Sequence, residues 1–187
     1  VVRPALVALG RHVDWSSSGV KILRDLLASR REEMKLFALR ALRGVQSEEV
    51  AKIYMANLHS TKPGMQEAAI DALGANAKAL APMLKSLQLE RNPDKAKTLI
   101  KPLMAHSTEI KPAQFKTMVE KCGKLLADGS EMGETHLELL IAIDSGAAGE
   151  QLVDKAVRLR RARKTSEALL ILLHLAQVDA LDIEGRY

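Results

Sequence analysis

Aromatic side chains are scarce in this chain. Trp15, Phe37, Tyr54, Phe115 and Tyr187 are all there are among 187 residues. Only Phe115 lies near the basic stretches, which speaks against base stacking as a mode of nucleic-acid binding. Cysteine occurs once, as Cys122, so an internal disulfide and a cysteine-based zinc site are both excluded, and an intracellular compartment fits. Cys122 stands between Lys121 and Lys124, yet reads as a buried structural thiol rather than a reactive one. The histidines (His12, His59, His106, His136, His174) are scattered with no pair at i, i+4, and "THLE" (135–138) lacks the second histidine of a zinc-protease helix. Neither a metal nor a cofactor is therefore expected. Glycine-rich phosphate loops are missing too, since "GVQS" and "GANA" are turns. No apolar run approaches the roughly 20 residues that span a bilayer. The opening "VVRPALVALG" is interrupted by Arg3 and Pro4 and has no cleavage pattern, so it is no signal peptide.

Strands lack support as well, because β-branched residues never gather into alternating runs. Alanine, leucine, lysine, arginine, glutamate and methionine dominate instead, all of them good helix formers. The fold class is all-α. Apolar periodicity and turn residues predict helices near 2–9, 18–29, 32–43, 48–59, 64–74, 77–89, 94–106, 112–127, 133–144, 149–163 and 165–177, with a last one opening near 180. Ser47 precedes "EEV" as an N-cap, with Glu48 and Glu49 at the positive end of the helix dipole. Gly10, Gly44 and Gly74 follow apolar stretches as helix ends, Pro63 and Pro112 suit first turns, and Pro82 either opens a short helix or kinks a longer one. The short links force successive helices into antiparallel hairpins.

Self-similarity decides between a bundle and an array. "ALVAL" (5–9), "ALRAL" (38–42) and "AIDAL" (69–73) share the form A-[LI]-x-A-L at spacings of 33 and 31 residues, and Met34 and Met65 each stand four residues before the first alanine. Each copy precedes a second apolar ladder: Val20, Leu23, Leu26 and Leu27; Val50, Ile53, Tyr54 and Leu58; Leu80, Met83, Leu84 and Leu87. Small alanines one turn apart let a neighbouring helix approach closely, while the large residue beside them fills the gap.

On these residues the chain resembles the HEAT-like repeat family, and "AIDALGANAKALAPMLKSL" (69–87) is similar to the short HEAT repeats of phycobilin lyases. The resemblance covers about residues 1–90 and implies an α-solenoid of about five to six antiparallel helical hairpins. Residues 1–90 then hold three repeats, the first truncated, and 91–187 hold further degenerate hairpins continuing the same solenoid. "LIKPL" (99–103) and "LLIAI" (139–143) fill the motif slot poorly, and "SEALLILLHLA" (166–176) equally suits a tetratricopeptide-like hairpin. The short first copy and the break-off at "DALDIEGRY" lead us to expect a piece of a longer chain. HEAT-like glycosylases and phycobilin lyases lend no catalytic residue here: Asp71 and Asp144 read as surface carboxylates.

Two surfaces stand out. The first repeat is two residues longer than the second, and the extra length lies in the loop "GRHVDWSSSG" (10–19), whose Asp14, Trp15, Ser16, Ser17 and Ser18 are a candidate partner-binding loop, against a plain reading of a capping serine and a packed tryptophan. The second is basic. The net charge is +5, and the stretch from Arg91 to Lys124 alone carries eight basic against three acidic residues. Lys97, Lys101 and Lys116, with Arg158, Arg160, Arg161, Arg163 and Lys164 of "RLRRARK", are candidate polyanion-binding residues, against a plain reading of solvated helix faces. The function expected is a non-catalytic scaffold for protein–protein interaction, with no membrane insertion. Nucleic-acid or other polyanion binding through a basic groove is the alternative.

Overall fold

The computed structural model describes residues 24–62 and 64–184, with side chains as far as Val178. The first motif copy, the 10–19 loop with its candidate residues, Val20, Leu23 and Pro63 lie outside the described residues. All described regular structure is helical, with no strand among the described residues. A helical stretch at 24–28 precedes α1 (Glu32–Ala41), α2 (Glu48–Asn57), α3 (Met65–Ala75), α4 (Leu80–Leu89), α5 (Pro93–Met104), α6 (Pro112–Ala127), α7 (Glu131–Arg161) and α8 (Thr165–Glu184).

Local chemistry accounts for most of the ends. Ser47 accepts from the Glu49 amide at 3.2 Å and opens α2, with Glu48 and Glu49 in its first turn. Pro112 is the first residue of α6, where its missing N–H costs nothing, and Gln114 reaches back to accept from the Lys111 amide at 2.9 Å. Pro82 settles as a first-turn residue: a 3₁₀ turn at Ala77–Ala79 precedes it, and the α-helix begins at Leu80. Gly44 has a left-handed φ of +96° just past α1.

Three expectations need correction. Gly74 does not end a helix but lies within α3; a methyl there would sit 3.2 Å from the Ala105 Cβ, so the glycine lets the end of α5 approach. The helices read at 133–144 and 149–163 are not separated by a loop. They form the single run α7, broken only at Asp144, whose backbone is extended and whose carboxylate accepts from the Ala147 amide at 2.9 Å. One capping aspartate thus stands in place of the break read at 145–148. Finally, the helices read at 165–177 and near 180 are one, α8.

The chain divides into two compact units, one taking the residues up to Glu90 and Thr98–His106, the other Arg91–Lys97 and Ser107 onward. In the first, α3 packs on both α1 and α2, and α2 on α4. Its core is the repeated motif: Ala38, Leu39, Ala41 and Leu42 in one copy and Ala69, Ala72 and Leu73 in the next are buried. The ladders Val50, Tyr54, Leu58 and Leu80, Met83, Leu84, Leu87 are buried with them. Met65 is buried whereas its counterpart Met34 is exposed. Buried side-chain donors reach carbonyls in the last turns of helices. The Tyr54 hydroxyl donates to Leu39 O at 2.9 Å, and the His106 Nε2 donates to Leu73 O at 2.9 Å. The turn after α1 is tied to the turn after α3 by three side-chain bonds. Gln46 donates to Ala75 O and accepts from the Ala77 amide, both at 2.8 Å, and the buried Asn76 donates to Ser47 O at 3.0 Å.

In the second unit α6, α7 and α8 pack against one another. Phe115, Met118, Cys122 and Leu126 of α6 meet Leu137, Leu140, Leu152 and Ala156 of α7 and Ala168 and Ile171 of α8 in its core. Two glycines set the spacing. A methyl on Gly133 would lie 2.8 Å from the Leu126 backbone nitrogen, and one on Gly123 would lie 2.5 Å from Cδ of Lys155.

Candidate functional site

The basic residues singled out from the sequence are divided between the two units. Lys97 is exposed on α5 within the second unit. Lys101 belongs to the first unit, where its Nζ is 3.5 Å from Asp71 Oδ1 in an exposed pair of little energetic weight. Asp71 also lines a cavity of about 680 Å³ with Arg40, Arg43, Glu67 and Gly64, which has no single charge sign. Sequence reasoning missed Arg40 and Arg43. Arg40 lies in the last turn of α1 and Arg43 in the turn that follows, but nothing in the string says that α3 stands opposite.

Lys116 and Arg158 do come together. They line a groove of about 460 Å³ between α6 and α7, with Glu120, Gln151, Asp154 and Lys155, and Lys155 and Arg158 continue into an adjoining cavity of about 430 Å³. Lys155 is the residue the sequence did not flag. Its stem crosses Gly123, and its Nζ donates to Glu120 O at 2.8 Å. Burial lowers the pKa of this ammonium, with the nearby Glu120 carboxylate opposing. Burial likewise lowers that of Lys121. Three cations and two carboxylates in one groove leave a small positive excess, far from a phosphate track.

The remaining candidates sit at the α7–α8 turn. Arg160 and Arg161 end α7 and are exposed. Arg163 holds a left-handed φ of +63°, the one positive-φ non-glycine among the described residues. Lys164 bonds both carboxylate oxygens of Glu167, at 2.9 and 3.2 Å.

Buried polar groups do not converge. Cys122 is buried, its thiol directed at Gly133 O at 3.6 Å, and burial pushes it up to about 12 while Lys155 pulls the other way. It is a structural thiol, inert at neutral pH. His136 is 2% exposed; its Nδ1 donates to Met132 O at 2.8 Å, and its Nε2 has no partner among the described residues. Burial pushes this imidazole down to about 4 despite the Met132 bond, so it is neutral at pH 7. No group of three or more histidine, cysteine, aspartate or glutamate side chains placed to hold a metal occurs among the described residues. No described helix is long and apolar enough to cross a membrane. No family model, no curated protein and no solved structure matches this chain.

Proposed function

We propose that this chain is a non-catalytic scaffold of HEAT-like, stacked helical hairpins that presents a surface to a protein partner, in an intracellular compartment. The observation that carries the reading is the pairing of the motif with the turn-to-turn bonds. Both described A-[LI]-x-A-L copies put their small residues and leucines into the core, and the turns that follow them are tied across 29–31 residues by Gln46 and Asn76. A framework whose repeated alanines and leucines face inward, stitched from one turn to the next, holds its outer side chains in fixed relation, which is what a docking surface requires. Affinity-tagged chain incubated with a nuclease-treated lysate should retain a defined protein in near-stoichiometric amount. Recovery of nucleic acid alone from an untreated lysate would refute the reading.

Polyanion binding is the second reading, favoured by Lys116, Lys155 and Arg158 in one groove. It predicts heparin retention that falls steeply between about 50 and 200 mM salt. Glu120 and Asp154 in the same groove weigh against it.

A further inference from the structure

The least satisfied surface among the described residues is on α8. Leu169, Leu172 and Leu173 are 60%, 41% and 54% exposed, while Ala168 and Ile171 on the adjoining face are buried. With the exposed Ala176, the spacing i, i+3, i+4, i+7 makes one continuous apolar stripe along about two turns. Exposed leucines scattered singly need no explanation, but three in register on one helix do.

Charge about this stripe is uneven: cations stand before it, Asp179, Asp182 and Glu184 follow it in the sequence, and Glu134 of α7 lies 3.7 Å from Nδ1 of His174. Immediately N-terminal to it stand Arg158, Arg160, Arg161, Arg163 and Lys164, all exposed, beside the positive end of the α8 dipole. From Thr165 to Val178 the only formally charged side chain is Glu167, already bonded to Lys164. Arg163 adds an independent sign. At Gly44, Gly64 and Gly129 the chain uses glycine for positive φ, but at this turn it keeps an arginine at a strained angle. A cation has been placed where backbone economy favours glycine.

We propose that this stripe is the docking site for an amphipathic helix of a protein partner, apolar along one face and acidic at the end that meets the 158–164 turn. The proposal rests on the scaffold reading and names the surface and the partner chemistry. Leucines on the incoming helix cover Leu169, Leu172 and Leu173, while its carboxylates pair with the guanidiniums of Arg160, Arg161 and Arg163. Those pairs fix orientation and speed association, and the leucines carry the affinity. An anionic membrane is disfavoured, because a helix lying in a lipid interface carries its cations along the flanks of the apolar face, not at one end.

The test uses the full chain and a fluorescent synthetic helix of about 18 residues with leucines at i, i+3, i+4 and i+7 and three glutamates at one end, read by anisotropy. Binding should weaken at least about tenfold when those glutamates become lysines, and as much for Leu172→Glu. Arg161→Glu with Arg163→Glu should also weaken it, with a smaller dependence on salt. Circular dichroism should stay at the parent's values for every variant, and the thermal midpoint should stay there for the exposed arginines and fall only modestly for Leu172→Glu, whose parent side chain is 41% exposed. Equal binding of the acidic and basic helices, or no effect of Leu172→Glu, overturns the proposal. So does binding to phosphatidylserine vesicles in preference to the peptide, or a dimer in sedimentation that Leu172→Glu dissolves. If the tagged chain keeps its protein partner when Leu172→Glu is introduced, α8 is not the site while the scaffold reading stands; if no protein is retained by either form, the scaffold reading itself has failed.

Discussion

His136 makes the second unit sensitive to acid, and the size of the effect follows from its surroundings. The ring is buried, its Nδ1–H is committed to Met132 O, and its Nε2 has no hydrogen-bond partner among the described residues. Protonation would place a second N–H, and a charge, in an apolar site near Lys121. The imidazole pKa is about 4 when folded against 6.5 when unfolded. Between those values the unfolded chain binds the extra proton and the folded chain does not, so stability is full above about pH 6.5 and falls as pH drops. The loss reaches about 2 kcal/mol at pH 5 and about 3 kcal/mol below pH 4. His136→Leu removes the titrating group with little change in volume. Met132 O loses one donor but remains within the helix, so the variant should lie within about 1.5 kcal/mol of the parent at pH 7. Urea unfolding by circular dichroism at pH 7, 6, 5 and 4.5 gives both curves, and subtraction cancels the carboxylates common to the two chains. The variant should overtake the parent as the pH falls. Parallel curves would show that His136 is hydrated or rearranged and that the burial argument is wrong.

The two close-contact glycines should respond differently to alanine. Gly133→Ala pushes a methyl against the Leu126 and Leu125 backbone, which cannot step aside, and should cost about 1–3 kcal/mol in denaturant unfolding; Gly123→Ala meets mainly the movable stem of Lys155 and should be near neutral. Tyr54→Phe deletes the hydroxyl that donates to Leu39 O and should cost about 1 kcal/mol with no change in helix content by circular dichroism. Arg163→Gly relieves a left-handed arginine and should raise stability by up to about 1 kcal/mol; an unchanged or lowered denaturation midpoint would mean the turn is not strained.

The buried framework was legible because its signal is local and repeated. Alanine at motif positions 38, 41, 69 and 72 marks close helix approach, and the helical period assigns the same face to Leu39, Leu42 and Leu73. Cap chemistry at Ser47 and Pro112 is equally local. What escaped depends on partners far along the chain. Gln46 and Asn76 look like ordinary turn polar residues until their 29-residue and 31-residue bonds are seen. Gly74 and Gly123 look like helix ends or neutral fillers until the helix crossing each of them is placed. Asp144, read as a surface carboxylate, turns the chain without a loop by capping Ala147 N between the helices read at 133–144 and 149–163. Of the candidate basic residues, only Lys116 and Arg158 share a groove, because sequence proximity of charge says nothing about which helix lies across from it.

The α8 stripe shows why the outer surface is harder to read than the core. "SEALLILLHLA" is apolar on nearly every side, a pattern that ordinarily signals a helix covered all round. From the string alone each leucine has an equal claim to burial. Packing against α6 and α7 buries Ala168 and Ile171 and half-covers Leu170, His174 and Leu175. The residues left over are therefore defined by subtraction: a helix with apolar surface for two layers, and one layer supplied. That remainder of Leu169, Leu172 and Leu173, set against a turn of arginines, specifies the chemistry of whatever covers it more narrowly than the repeat motif does, since the motif is spent on holding the frame together.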